Sequence, residues 1–318
     1  MVKMEAQKTK RLYAGNTSHL YEVQSDWLQV PSNVELGYTH GIVTDKNDRV
    51  FIFHTGKPSV LVFESNGSFV TAWGEDFAGG AHGFYLHQES NGEFLYVTDT
   101  KQGVVVKTTL TGEKLLTIGA PDRPDIYDAE RKYVPTDVAV APNGDIYVSD
   151  GYGQSWVHQF TADGEYLRSW GGKGSELGQF KCPHGISIDL RRSEPEIYVA
   201  DRGNHRIQVF TLDGLFIRSL DDDLDMPCSF FFHGEEMYIP DLHSRVSIFD
   251  GHDRLVAHLG EDRQAKQQEG WPNISKSYYR SNKLSSPHGV CVDSQSNVYI
   301  AEWVIDGRIT KLVRVQNN

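Results

Sequence analysis

The chain has 318 residues, with 43 Asp and Glu against 31 Lys and Arg, and a formal net charge of −12. No run of Lys or Arg follows the first dozen residues, so the basic face that neutralises a nucleic-acid backbone is missing and nucleic acid is not an expected partner. No apolar stretch reaches the roughly 20 residues of a membrane helix, and three cysteines with no CxxC spacing argue against a disulfide framework.

The start, "MVKMEAQKTKRLYAGNTSHLYEV", is basic but lacks the apolar centre of a secretory signal, so a cytoplasmic location is expected. Residues 1–18 read as an N-terminal extension and 19–318 as one domain. The segment "HLYEVQSDWLQV" at 19–30 alternates like a strand. Six related units follow. The first is "THGIVTDKNDRVFIFHTGKPSVLVFESNGSFVTAWG" from residue 39. The second spans His82 to about Gly119. The third is "PTDVAVAPNGDIYVSDGYGQSWVHQFTADGEYLRSWG" from residue 135. The fourth opens with "PHGISID" at 183, the fifth spans Met226 to about Gly260, and the sixth opens at Pro287. Each alternates with period two and breaks at Asn-Gly or similar turns, the pattern of consecutive hairpins. Six units of four strands predict an all-β, six-bladed β-propeller. The last unit is one strand short, so residues 19–30 are expected to supply its outer strand and close the ring. Longer stretches at 120–133 and 261–285 lie between one unit's fourth strand and the next unit's first.

Propeller geometry brings the start of every first strand, and every loop between strands two and three, to one mouth of the central channel. The six rim residues opening the first strands are His40, His82, Thr136, His184, Cys228 and His288. Three of them, His82, His184 and His288, belong to alternate blades, roughly 120° apart in a six-fold ring. Three imidazoles pointing at the axis, with a further place open, is the layout of a catalytic metal site. A single His-Gly at a strand mouth is turn chemistry; three at equivalent places favour a metal. Zinc suits neutral imidazoles, and another divalent transition metal is the alternative. His40 breaks the symmetry and reads as a fourth contact or a supporting group.

The loops between strands two and three carry His54-Thr55, Asp99, Asp150-Gly151-Tyr152, Asp201-Arg202, Asp241 and Glu302. The recurring acids are expected to accept backbone N–H groups in their own turns. Tyr152 and Arg202 do not recur, so they are the functional candidates, with His54 an additional one.

The stretches "PTDVAVAPNGDIYVSDGYGQS", "GQFKCPHGISID", "YVADRGNHRIQVF", "SPHGVCVD" and "FIFHTGKPSVLVF" resemble the NHL-repeat propellers. More narrowly they resemble the peptidyl-α-hydroxyglycine α-amidating lyases and their bacterial relatives, over nearly the whole chain. The resemblance implies zinc on His82, His184 and His288, a catalytic tyrosine at Tyr152 and an active-site arginine at Arg202. It implies cleavage of a C–N bond to an amide and glyoxylate, with Tyr152 taking the hydroxyl proton at a lowered pKa. Three departures stand out. Thr55 occupies the place of a second family arginine. Gly153 replaces a cysteine of the secreted animal members. Gly289 replaces an acid linked to calcium, so no calcium site is expected. The expected partner is a small-molecule or short-peptide substrate. Two other readings stay open: a non-catalytic NHL propeller that binds a protein or ligand at its mouth, and a metal-dependent hydrolase of the lactonase type.

Overall fold

A computed structural model describes residues 11–24 and 26–316. Six antiparallel sheets stand around a central channel, as the repeats predict. Blade 1 runs outwards from the axis through Thr39–Thr44, Val50–His54, Val60–Phe63 and Phe69–Trp73. Ile42 faces Ile52, Ile52 faces Leu61, and Leu61 faces Ala72. The first strands of blades 2 to 6 are Ala81–Glu89, Asp137–Val140, Pro183–Asp189, Phe231–His233 and Pro287–Val292. Inner strands are buried on both faces because every blade is packed between two others. Val43, Phe51, Phe53 and Val62 of blade 1 meet Phe84, Leu95 and Val97 of blade 2, with Phe53 and Phe84 stacked at 5.0 Å. Each such buried side chain contributes about 1.5–3 kcal/mol relative to exposure.

Blade 6 contributes only Pro287–Val292, Val298–Glu302 and Arg308–Arg314 from its own stretch. Its fourth strand is Leu20–Gln24, with Val23 opposite Leu312. The ring is therefore closed by an N-terminal strand. Two details differ from the sequence reading. The strand drawn over 19–30 stops at Gln24; Trp27 packs edge-on against Tyr299 at 5.3 Å, and the Gln29 N–H donates to the Gly67 carbonyl of blade 1. Bending here lets one segment tie the last blade to the first. The extension drawn over 1–18 supplies a fifth strand, Tyr13–Gly15, with Ala14 opposite Tyr21; an open edge with free backbone groups accepts it. The rest of that extension up to residue 10 lies outside the described residues.

Both insertions brace the mouth. In the first, the Tyr127 hydroxyl donates to Asp150 Oδ2 at 2.8 Å and lies 2.6 Å from His158 Nε2. In the second, Asn273 donates to the Tyr38 hydroxyl and accepts the Ile305 N–H, both at 3.0 Å. Among the described residues no helix is long and apolar enough to cross a membrane.

Candidate metal centre

The first strands of blades 1, 2, 4 and 6 begin with a register shift at the His-Gly step. In blades 2, 4 and 6 the reason is visible on both sides of the step. The Nδ1 of His82 meets the Thr136 carbonyl at 2.7 Å, that of His184 the Cys228 carbonyl at 2.8 Å, and that of His288 the His40 carbonyl at 3.1 Å. Each acceptor is the rim residue of the next blade. A Cβ on Gly83, Gly185 or Gly289 would lie 2.6, 2.4 or 2.5 Å from that same carbonyl oxygen. Glycine thus lets the neighbouring backbone close in, and histidine holds it there. A carbonyl only accepts, so Nδ1 carries the proton and each Nε2 keeps its lone pair free.

The three rings stand 4.8 Å (His82–His184), 5.0 Å (His82–His288) and 4.8 Å (His184–His288) apart. Burial holds all three well below the ordinary imidazole pKa, so they are neutral donors. The sequence-predicted trio is brought together at the axis, above a cavity of roughly 300 Å³ walled by the first strands.

His40 joins them, its ring 4.7 Å from those of both His82 and His288. Its Nδ1 is buried with no hydrogen-bond partner, and burial lowers its pKa to about 3. Ligand atoms lie within 4.8 Å of one another in two groups: His40, His82 and His288, and His184, Cys228 and His288. His82 and His184 fall in different groups, with His288 in both. The cysteine was on the rim in the sequence reading but was not singled out as a donor, since no spacing marks it.

Tyr152 and Arg202 reach the same place from their loops. The Tyr152 hydroxyl lies 3.1 Å from Nε2 of both His82 and His184. Arg202 Nη2 donates to that hydroxyl at 3.3 Å and to Cys182 Sγ at 3.4 Å, its guanidinium 5.5 Å from the Tyr152 ring centre. No carboxylate of the described residues forms an ion pair with Arg202. Without a metal, desolvation of the hydroxyl pushes the tyrosine pKa up, although the residue is 45% exposed, and Arg202 opposes this without reversing it. In the metal-free protein the phenol keeps its proton.

The recurring acids have the structural role expected of them. Asp150 accepts the N–H groups of Val134 and Gln154, Asp241 those of Asp225 and Met226, and Glu302 that of Ser285. Each clips the segment leading into its own blade's first strand. His54 does this job in blade 1, with Nδ1 accepting from Gly37 at 3.1 Å and Gly56 at 3.0 Å. Its lone pair is therefore engaged, and the structure places His54 as a loop clip rather than at the axis. Thr55 likewise serves its loop, accepting the Tyr38 N–H at 2.9 Å.

Comparison with other proteins agrees with this architecture. The NHL repeat pattern matches residues 133–160 and 180–210. Peptidyl-glycine alpha-amidating monooxygenase B of Xenopus laevis is 30% identical over 236 residues, 64% of this chain, but the match spans only 26% of that protein. Peptidyl-alpha-hydroxyglycine alpha-amidating lyase 1 of Drosophila melanogaster is 25% identical over 343 residues, 93% of this chain and 60% of the fly protein. The chain therefore spans about a quarter of the frog protein and under two thirds of the fly one. A streptogramin B lyase structure superposes with a TM-score of 0.63, covering 93% of this chain and 98% of that one, at 13% identity; it shares the fold alone. The chain is an NHL-repeat six-bladed β-propeller that resembles the peptidyl-α-hydroxyglycine α-amidating lyases.

Proposed function

We propose that the protein is a metal-dependent lyase that cleaves the C–N bond of an α-hydroxyglycine-type substrate at the channel mouth. The observation that carries this reading is the trio His82, His184 and His288. Each has Nδ1 tied to a backbone carbonyl, and two have Nε2 at 3.1 Å from one tyrosine hydroxyl. Three buried neutral imidazoles with oriented rings fit a zinc ion. Bound there, the ion supplies a Lewis acid for the substrate's hydroxyl oxygen and a second positive charge beside the phenol.

The chain's own groups do the rest. Arg202 has no carboxylate partner, so its guanidinium is free to hold the substrate carboxylate with two parallel bonds. Tyr152, between two histidines and Arg202, would act as the phenolate that the added positive charge favours, accepting the hydroxyl proton and returning it to the departing amide nitrogen. The hydroxyl oxygen becomes the aldehyde oxygen of glyoxylate as the C–N bond breaks, and the peptide leaves as its amide. Thr55 offers no cation, so Arg202 alone holds the anion.

The test is glyoxylate release from an α-hydroxyglycine peptide by protein of known metal content. Metal-loaded protein that releases none overturns the lyase reading and leaves the metal site standing. Protein purified without chelator that holds no metal, and takes up none, overturns both and favours a non-catalytic binding propeller.

A further inference from the structure

We infer that Cys228 is a ligand of the same ion, bound through sulfur as a thiolate beside His184 and His288. The inference rests on the metal reading above and adds a donor to it. Sγ of Cys228 and the ligand nitrogens of His184 and His288 lie within 4.8 Å of one another. The residue is 1% exposed, lines the central cavity and is locked to His184 by the bond from Nδ1 to its carbonyl. Its thiol makes a long contact, 3.6 Å, with the Met226 carbonyl, and the Arg202 guanidinium lies beside its sulfur.

Ligand arithmetic puts the sulfur on the same ion as the imidazoles. The two donor groups share His288. The Nδ1 of His288 is spent on the His40 carbonyl, so one lone pair remains, and it serves one ion. Two ions, one per group, are excluded on that count.

On binding, the S–H bond breaks, the sulfur–metal bond forms and the proton leaves to solvent. A sulfur donor biases the centre towards zinc, cobalt and cadmium and away from magnesium and calcium. Zinc, when bound, would accept sulfur and imidazole donors in one centre.

The test uses the full chain reconstituted with cobalt(II) alone. The wild type should show a near-ultraviolet sulfur-to-cobalt charge-transfer band. Cys228→Ser and Cys228→Ala should both lose it while binding cobalt about tenfold or more weakly, the scale of loss for groups that merely support a ligand. Cys182→Ser, a control at the same mouth, should keep the band. Equal melting temperatures of the metal-free variants exclude misfolding as the cause. Cobalt bound by the wild type with no such band, or a band that survives in Cys228→Ser, overturns the inference and leaves the histidine site intact. No cobalt uptake by the wild type overturns the inference and the metal reading together.

Discussion

Blades 2, 4 and 6 and blades 1, 3 and 5 are built from the same repeat, yet they act in opposite ways at the axis. The even blades contribute imidazole side chains; the odd blades contribute backbone carbonyls that hold those imidazoles. The glycine after each even histidine belongs to the same device, since a side chain there would collide with the neighbour's carbonyl. Blade 1 has the same His-Gly words but not the same surroundings. A Cβ on Gly41 would meet the Phe84 side chain at 2.2 Å, and the Nδ1 of His40 makes no bond to the next blade's rim carbonyl. How a histidine is held at this axis is thus a property of two adjacent blades, not of one motif.

This contrast breaks most sharply at the even histidines. His184→Ala, like His82→Ala or His288→Ala, should remove most of the bound metal and with it turnover. Elemental analysis of purified protein measures this, and a variant that keeps stoichiometric metal would remove that residue from the ligand set. Next in size is Tyr152→Phe. It keeps the ring and its packing, leaves metal content unchanged and should lower glyoxylate release about 10²- to 10⁴-fold, the usual worth of general acid–base help. Full activity would move the proton acceptor elsewhere. Gly185→Ala tests the glycine half of the device. Its Cβ would sit 2.4 Å from the Cys228 carbonyl oxygen, so thermal unfolding should show a loss of about 1–3 kcal/mol, as for other overpacked sites. An unchanged melting temperature would mean that the neighbouring strand yields freely. The smallest effect is expected from His40→Ala, because the bond it makes to His288 runs through a backbone carbonyl that alanine keeps. Metal loss equal to that of His184→Ala would shift the ion to the triangle of His40, His82 and His288.

Much of this was legible in the chain itself. The repeats carried the blade count, and the shortfall of strands in the sixth carried the closing strand. Counting blades put His82, His184 and His288 on alternate sides of the axis. Other features were not legible. His54 looks like a site residue because it sits in a mouth loop. Its role as a stand-in for an acid depends on where Gly37 and Gly56 lie. Without a metal, desolvation of the Tyr152 hydroxyl outweighs the single cation beside it, a balance that residue types alone do not show.

The sequence by itself determined the blades, their number and the alternation along their strands, because alternation and turn residues are local in the chain. It also determined which residues stand on the rim. Only the tertiary structure decided what those residues do to one another. Distances between blades are set by ring closure and by which Cβ is absent where two backbones meet, and these contacts join residues dozens to hundreds of positions apart. The bond between His288 and His40, the nearness of Cys228 to His184 and His288, and the orphaned nitrogen of His40 all arise there.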